Sequence, residues 1–114
     1  MCIDKVYPNE YSFSMNILHR TDIFDKWLTD LRDSKARARI VARLLLAEKG
    51  NFGDCEPVGD GVSEMRIHYG PGYRVYYTRC GEVLYLLLAG GDKSTQKKDI
   101  ALARKMAKEW EERI

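Results

Sequence analysis

The sequence predicts an α+β domain of element order β-α-α-β-β-β-α, an antiparallel sheet with helices packed against it. Three observations carry that prediction. Between residues 22 and 50, apolar residues recur at helical spacing in two consecutive blocks joined by the "DS" at 33 and 34. Between 62 and 89 the pattern changes to strand runs separated by "GPG" and "CGE", connections short enough to force antiparallel pairing. Helical spacing then returns from Thr95 onward. With 114 residues, 45% hydrophobic and 32% charged, the chain has material for one buried core, is short for two, and lacks the composition of a disordered protein.

The elements follow in order. Residues 1–13 show no periodicity and are expected to form an N-terminal extension to a domain spanning 14–114. In "SMNILHR", 14–20, Met15, Ile17 and His19 alternate, which predicts a short strand with these residues on one side. Thr21 is placed to cap a helix over about 22–33, with Asp22 and Asp25 near its positive end and Ile23, Phe24, Trp27, Leu28 and Leu31 at helical spacing. Asp33 and Ser34 end that helix and can cap the next, over 35–50. There Ala36, Ile40, Leu44 and Ala47 form an apolar stripe, Arg37, Arg39 and Arg43 line the other side, and Gly50 closes the helix.

"NFGDCEPVGDG", 51–61, has the composition of a loop. Strands are expected at about 62–69, 73–80 and 83–89; the last is apolar at nearly every position and reads as an interior strand covered on both faces. "GGDKST" reads as a loop. Ile100, Ala103, Met106, Ala107 and Trp110 then share one face of a final helix.

Composition excludes several classes of function. The longest apolar run, "VLYLLLA" at 83–89, is far too short to span a membrane. The N-terminus mixes Asp4, Lys5, Pro8 and Glu10 and is no secretory signal. Cys2, Cys55 and Cys80 are widely spaced without a CxxC, so neither a zinc site nor a disulfide framework follows, and reduced thiols in a cytoplasm are the expectation. The net charge of +2 is unevenly spread: residues 1–60 carry 9 Lys+Arg against 10 Asp+Glu, residues 61–114 carry 10 against 7. That local excess suits a local anionic ligand better than a uniformly basic nucleic-acid coat.

The excess coincides with an unusually equipped hairpin, "EMRIHYGPGYRVYY" at 64–77. Strand alternation puts Glu64, Arg66 and His68 on one face and Met65, Ile67 and Tyr69 on the other, which is the core side. If Val75 also faces the core, Arg74 and Tyr76 join Arg66 and His68 on an exposed, concave patch. Guanidiniums suit phosphate because their planar fork donates two parallel hydrogen bonds. An imidazole and a phenol can move protons or stack on bases. The same pattern is also that of an ordinary antiparallel face on which Glu64 and Glu82 neutralise the arginines.

"GGDKSTQKKD", 90–99, resembles an anion-holding loop but lacks P-loop spacing, and Ser94 or Thr95 as a helix cap accounts for its polar residues. Arg37, Arg43, Lys97 and Lys98 read either as a solvated face or as an RNA or partner surface. Trp27 and Trp110 are expected in the core. No metal cluster or Ser-His-Asp arrangement can be argued from the spacing.

Together, "SEMRIHYGPGYRVYY" and "LLAGGDKSTQKKDI" carry a family resemblance: over about residues 15–112 the chain is similar to the RelE/ParE toxin superfamily, and within it to the HigB-like addiction-module killer proteins. The resemblance implies a RelE-like curved antiparallel sheet with two N-terminal helices and a C-terminal helix. It also implies the toxin of a type II toxin–antitoxin module, a metal-independent endoribonuclease that cuts mRNA on the ribosome without a cofactor. Arg66 and Arg74 match the basic residues around the scissile phosphate, and Lys93 a basic or histidine position near the end of the last strand. His68, Tyr76 and Asp92 are the candidates for proton transfer. Arg37, Arg43, Lys97 and Lys98 are the candidate RNA-binding cations. The implied partners are a cognate antitoxin of the helix-turn-helix DNA-binding kind, the ribosome and mRNA, with no membrane. Two alternatives share the fold: a ParE-like inhibitor of DNA gyrase, and a non-catalytic module that only binds its antitoxin.

Overall fold

A computed structural model describes residues 15–113; the extension expected over 1–13 lies outside them. Among the described residues the order is β1 (Ile17–Arg20), α1 (Asp22–Asp30), α2 (Ser34–Glu48), β2 (Cys55–Gly59), β3 (Val62–Ile67), β4 (Tyr73–Arg79), β5 (Leu84–Asp92), a single 3-10 turn (Lys93–Thr95) and α3 (Gln96–Arg113). The strands form one sheet in the order β1-β5-β4-β3-β2. The α+β class and all three helices are as the sequence predicts.

Local chemistry explains the helix starts. Thr21 Oγ1 accepts from the Phe24 N–H at 3.1 Å and donates to the Leu88 carbonyl at 2.8 Å, so one hydroxyl caps α1 and fastens it to β5. The Asp33 carboxylate accepts from the Lys35 and Ala36 N–H groups at 3.0 and 3.2 Å and caps α2. The predicted stripe of α2 is buried at all four positions, Ala36, Ile40, Leu44 and Ala47. Beyond its end Gly50 adopts φ +95, a left-handed conformation that favours glycine.

Apolar residues fill both sides of the sheet. On one side Phe24, Leu28, Ile40 and Leu44 from α1 and α2 pack on Met65, Ile67, Val75, Tyr77 and Leu87. On the other, Ala103 and Ala107 of α3 pack on Val62, Tyr76, Leu86 and Leu88, with Ile100, Met106 and Trp110 beside them. The β5 residues Leu86, Leu87 and Leu88 therefore alternate between two cores, which accounts for the continuous apolar run.

Three local expectations are corrected. Cys55–Gly59 is not loop but β2, an edge strand paired antiparallel with β3; its residues are nearly all exposed, and it carries Pro57, which only an edge tolerates. β1 runs parallel to β5, so the sheet is mixed. Leu18 of β1 packs on the core, while Ile17, 58% exposed, and Met15 before the strand, 44% exposed, lie on the side away from it. Finally, Gly90, Gly91 and Asp92 belong to β5 rather than to a loop.

That last correction explains the glycine pair. A Cβ built on Gly90 would collide with the Trp27 ring, and one on Gly91 with the Asp99 carboxylate. Gly90 thus admits an α1 tryptophan to the sheet and Gly91 admits an α3 acid on the opposite face. Trp27 is partly buried and packs against the core, its ring centroid 5.7 Å from Phe24 and 6.3 Å from Tyr73.

Candidate functional site

In the β3–β4 ladder Glu64 lies opposite Tyr76 and Arg66 opposite Arg74. Strand alternation puts all four on the face that α3 covers. The expected grouping of Arg66, Arg74 and Tyr76 on one face is present, but most of it is not exposed. Tyr76 is fully buried, Glu64 2% exposed and Arg74 9%, because α3 lies over them. Side-chain exposure then climbs toward the hairpin, from 3% at Glu64 to 28% at Arg66 and 73% at His68. The face opens to solvent at that end.

Glu64 organises the covered part. Its Oε2 accepts from Tyr76 Oη at 3.2 Å and from Gln96 Nε2, at the start of α3, at 2.7 Å. Arg74 Nε stands 3.6 Å from the same oxygen, and Arg66 Nη1 stands 3.9 Å from Oε1. Arg74 Nη1 donates to the Gly72 carbonyl at 2.8 Å, while its buried Nε has no hydrogen-bond partner and faces Glu64 only across the longer gap. Burial, and then the Glu64 charge, push the Tyr76 phenol well above its ordinary value. At neutral pH it is a hydrogen-bond donor within the core.

A second group surrounds the open end. Asp54 Oδ1 accepts from Arg66 Nε and Nη2 at 3.3 and 3.0 Å, and its Oδ2 is 2.5 Å from His68 Nε2. Glu56 Oε1 is 2.8 Å from Arg66 Nη1. Hydrogen bonds from Arg66, and then from His68, lower the Asp54 carboxyl to about 2; Asp54 and Glu56 in turn hold Arg66 charged well beyond its ordinary range. Neither acid stood out in the sequence, because both lie in the segment that reads as a loop. The register Glu56↔Glu64 and Cys55↔Met65 brings them beside Arg66.

Lys93 is exposed in the 3-10 turn after β5 and borders the same corner. Between it and Arg74 lies Gly72, φ +83, where an added Cβ would stand 3.1 Å from Arg74 Nη1 and 3.6 Å from Lys93 Cβ. The GPG turn therefore has to remain bare for the two cations to share the corner. Asp92 caps the turn, accepting from the Ser94 N–H at 2.8 Å and from Ser94 Oγ at 2.5 Å.

The other candidate cations are dispersed. Arg37 donates to the Leu31 carbonyl. Arg43 donates to the carbonyls of Arg66 at 2.6 Å and Phe52 at 3.0 Å, tying α2 to β3 and to the segment before β2. Arg39 lies over the Tyr69 ring, 4.6 Å from its centroid. Lys97 and Lys98 are exposed near the start of α3, beside a shallow depression lined by Ser94, Thr95 and Ala101. Among the described residues no group of three His, Cys, Asp or Glu side chains is arranged to hold a metal ion, and no helix is long and apolar enough to cross a membrane.

Two comparisons with known proteins bear on this arrangement. An uncharacterized protein of Haemophilus influenzae (strain ATCC 51907 / DSM 11121 / KW20 / Rd) is 51% identical over 86 residues, covering 75% of this chain and 87% of that protein. Residues 26–108, from within α1 through most of α3, match the family model described as phage derived protein Gp49-like (DUF891). By that match, which takes in the whole of the β2–β5 sheet and both arginines of the hairpin, the chain belongs to the Gp49-like family of phage-derived proteins, a RelE/ParE-like toxin family.

Proposed function

We propose that this protein is the HigB-like toxin of a type II toxin–antitoxin module, and that it cuts mRNA on the ribosome. One observation carries the reading: Arg66 and Arg74 face each other across β3 and β4 at the end of the sheet where Lys93 and His68 also emerge. Two guanidiniums held in place by carboxylates, an exposed lysine and an imidazole together form the equipment for a phosphodiester. Family membership supports the toxin role, and with it a neutralising antitoxin as partner. That the antitoxin is a helix-turn-helix DNA-binding protein, and that the ribosome delivers the mRNA, belong to the proposal.

The reaction is an in-line transesterification. The 2′-oxygen loses its proton to a base, attacks the adjacent phosphorus, and displaces the 5′-oxygen, leaving a 2′,3′-cyclic phosphate and a 5′-hydroxyl fragment. Arg66, Arg74 and Lys93 neutralise charge that builds on the phosphoryl oxygens, an effect on the order of 2.7–4 kcal/mol for each donor removed from comparable sites. Tyr76 has a supporting part: its buried phenol donates to Glu64, which in turn faces both arginines. Lys97 and Lys98, exposed beside the same end of the sheet, extend the field along the RNA backbone.

Inducing the protein and mapping new 5′ ends on translated mRNA tests the reading. Ribosome-dependent cuts that disappear in Arg66→Ala and Arg74→Ala variants are expected. DNA damage without cuts would place the protein with gyrase inhibitors, and binding to antitoxin without toxicity would make it a repressor component. Toxicity undiminished in both arginine variants would overturn the site.

A further inference from the structure

Asp54 joins the phosphate-binding and proton-transfer parts of the open site through its two oxygens. Oδ1 accepts from Arg66 at 3.0 Å, and Oδ2 lies 2.5 Å from His68 Nε2. Its backbone is held as well: the Asp54 carbonyl accepts from the Arg66 N–H at 2.9 Å and from Arg43 Nη2 at 3.4 Å. The carboxylate is therefore a fixed acceptor rather than a swinging one. A carboxylate paired with a guanidinium is ionised and has no proton to share, so the hydrogen of the Asp54–His68 bond belongs to Nε2. In a neutral His68 this leaves the lone pair on Nδ1, on a side chain that is 73% exposed.

We propose that Asp54 is a positioning residue that holds His68 in the Nε2–H tautomer, so that Nδ1 takes the 2′-hydroxyl proton. This inference rests on the RNA-cutting reading and names the base within it. The proton passes from the 2′-hydroxyl to Nδ1 as the oxygen–phosphorus bond forms. The bond from phosphorus to the 5′-oxygen breaks with its electron pair on that oxygen, which takes a proton from water. The imidazolium returns its proton to solvent. Glu56 keeps its own contact with Arg66, so loss of the Asp54 charge leaves that guanidinium with a carboxylate partner.

Two measurements test the pair, the second without reference to RNA. In ribosome-programmed cleavage assays, His68→Ala should lose on the order of 10² or more in kcat. Asp54→Asn should lose less, mainly in kcat rather than KM, with a pH–rate profile altered in the limb that reports the base; Asp54, Arg66 and Glu56, with Arg74 and Lys93 on either side of Gly72, are the charged groups at that corner. The double variant should cut within about twofold of His68→Ala alone, since residues acting in series are not additive. Additive losses would show that Asp54 acts through Arg66 and would overturn the proposal. In ¹⁵N spectra of the isolated protein above neutrality, His68 should show a protonated Nε2 and a bare Nδ1, and Asp54→Asn should mix the tautomers. An unchanged tautomer population in Asp54→Asn overturns the positioning role even if cleavage is found. Absence of cleavage by the wild type, with the tautomer signature intact, instead counts against the RNA-cutting reading and against a base role for His68.

Discussion

Glu64 and Arg74 form a nearly buried ion pair across the ladder, Oε2 to Nε 3.6 Å apart, with side chains 3% and 11% exposed. The carboxylate also receives Tyr76 and Gln96, so one acid joins β3, β4 and the first turn of α3. Removing it leaves the nearly buried Nε end of the Arg74 guanidinium without a counter-charge. Glu64→Ala should lose about 3–5 kcal/mol, the range for breaking a buried pair from one side. Glu64→Gln, which keeps hydrogen-bonding capacity but not charge, should lose less. Chemical denaturation of the two variants checks the order; equal losses would mean that packing, not charge, is what Glu64 supplies.

The glycine pair yields a prediction of opposite character. Gly90→Ala should drive the Trp27 ring from its seat on β5, an overpacking cost of about 1–3 kcal/mol. Because Trp27 is only partly buried, its displacement should also red-shift its fluorescence. Gly81, where an added Cβ meets nothing within 4 Å, is the control: Gly81→Ala should leave both the melting temperature and the emission maximum nearly unchanged.

These two sites show which parts of the fold can be read from the chain and which cannot. Helices α1 and α2, their caps at Thr21 and Asp33, and the double-sided burial of β5 follow from spacing within one segment. The β2 strand does not, because "CEPVG" sits at an edge with little to bury and no alternation to reveal it. Missing β2 also hid Asp54 and Glu56, whose place beside Arg66 depends on strand register and not on local pattern. Alternation correctly grouped Arg66, Arg74 and Tyr76 on one face. Whether that face meets water depends on where α3, some twenty residues later, comes to rest. The glycines of "GGDKST" look like a flexible loop in isolation and are a packing requirement in context.

Titration of the hairpin tyrosines should appear as alkaline instability. Burial raises both the Tyr76 and Tyr77 phenols above their ordinary value of about 10. The folded protein therefore keeps protons that the unfolded chain releases: the contribution is fully present below pH 10 and is lost as pH rises through the folded-state values. Stability should fall steeply above pH 10, and Tyr76→Phe should flatten that fall while sacrificing the hydrogen bond to Glu64, about 1 kcal/mol at neutral pH. Asp54 acts in the other direction. Its depressed carboxyl stabilises above the ordinary value of 3.8, and that contribution is lost as pH drops toward 2. Melting curves from pH 8 to 11.5 test the tyrosines; parallel curves for Tyr76→Phe and wild type would refute the assignment.

Finally, the basic residues separate into two kinds that different assays should resolve. Arg43 gives its guanidinium to the carbonyls of Phe52 and Arg66, beneath Gly53, whose φ of +65 and missing Cβ leave room for it. Truncating it leaves those acceptors to find water, so Arg43→Ala should lose about 1–3 kcal/mol of stability, and any loss of RNA binding should track the fraction unfolded. Lys97 and Lys98 are exposed on the first turn of α3, and Lys97→Ala and Lys98→Ala should each change stability by less than about 0.5 kcal/mol. If they meet RNA phosphates, each should instead lower the slope of log affinity against log salt by about 1, uniformly across sequences. A salt slope lowered by Arg43→Ala at full folding, or unmoved by both lysine variants, would reverse this division between stitching and binding cations.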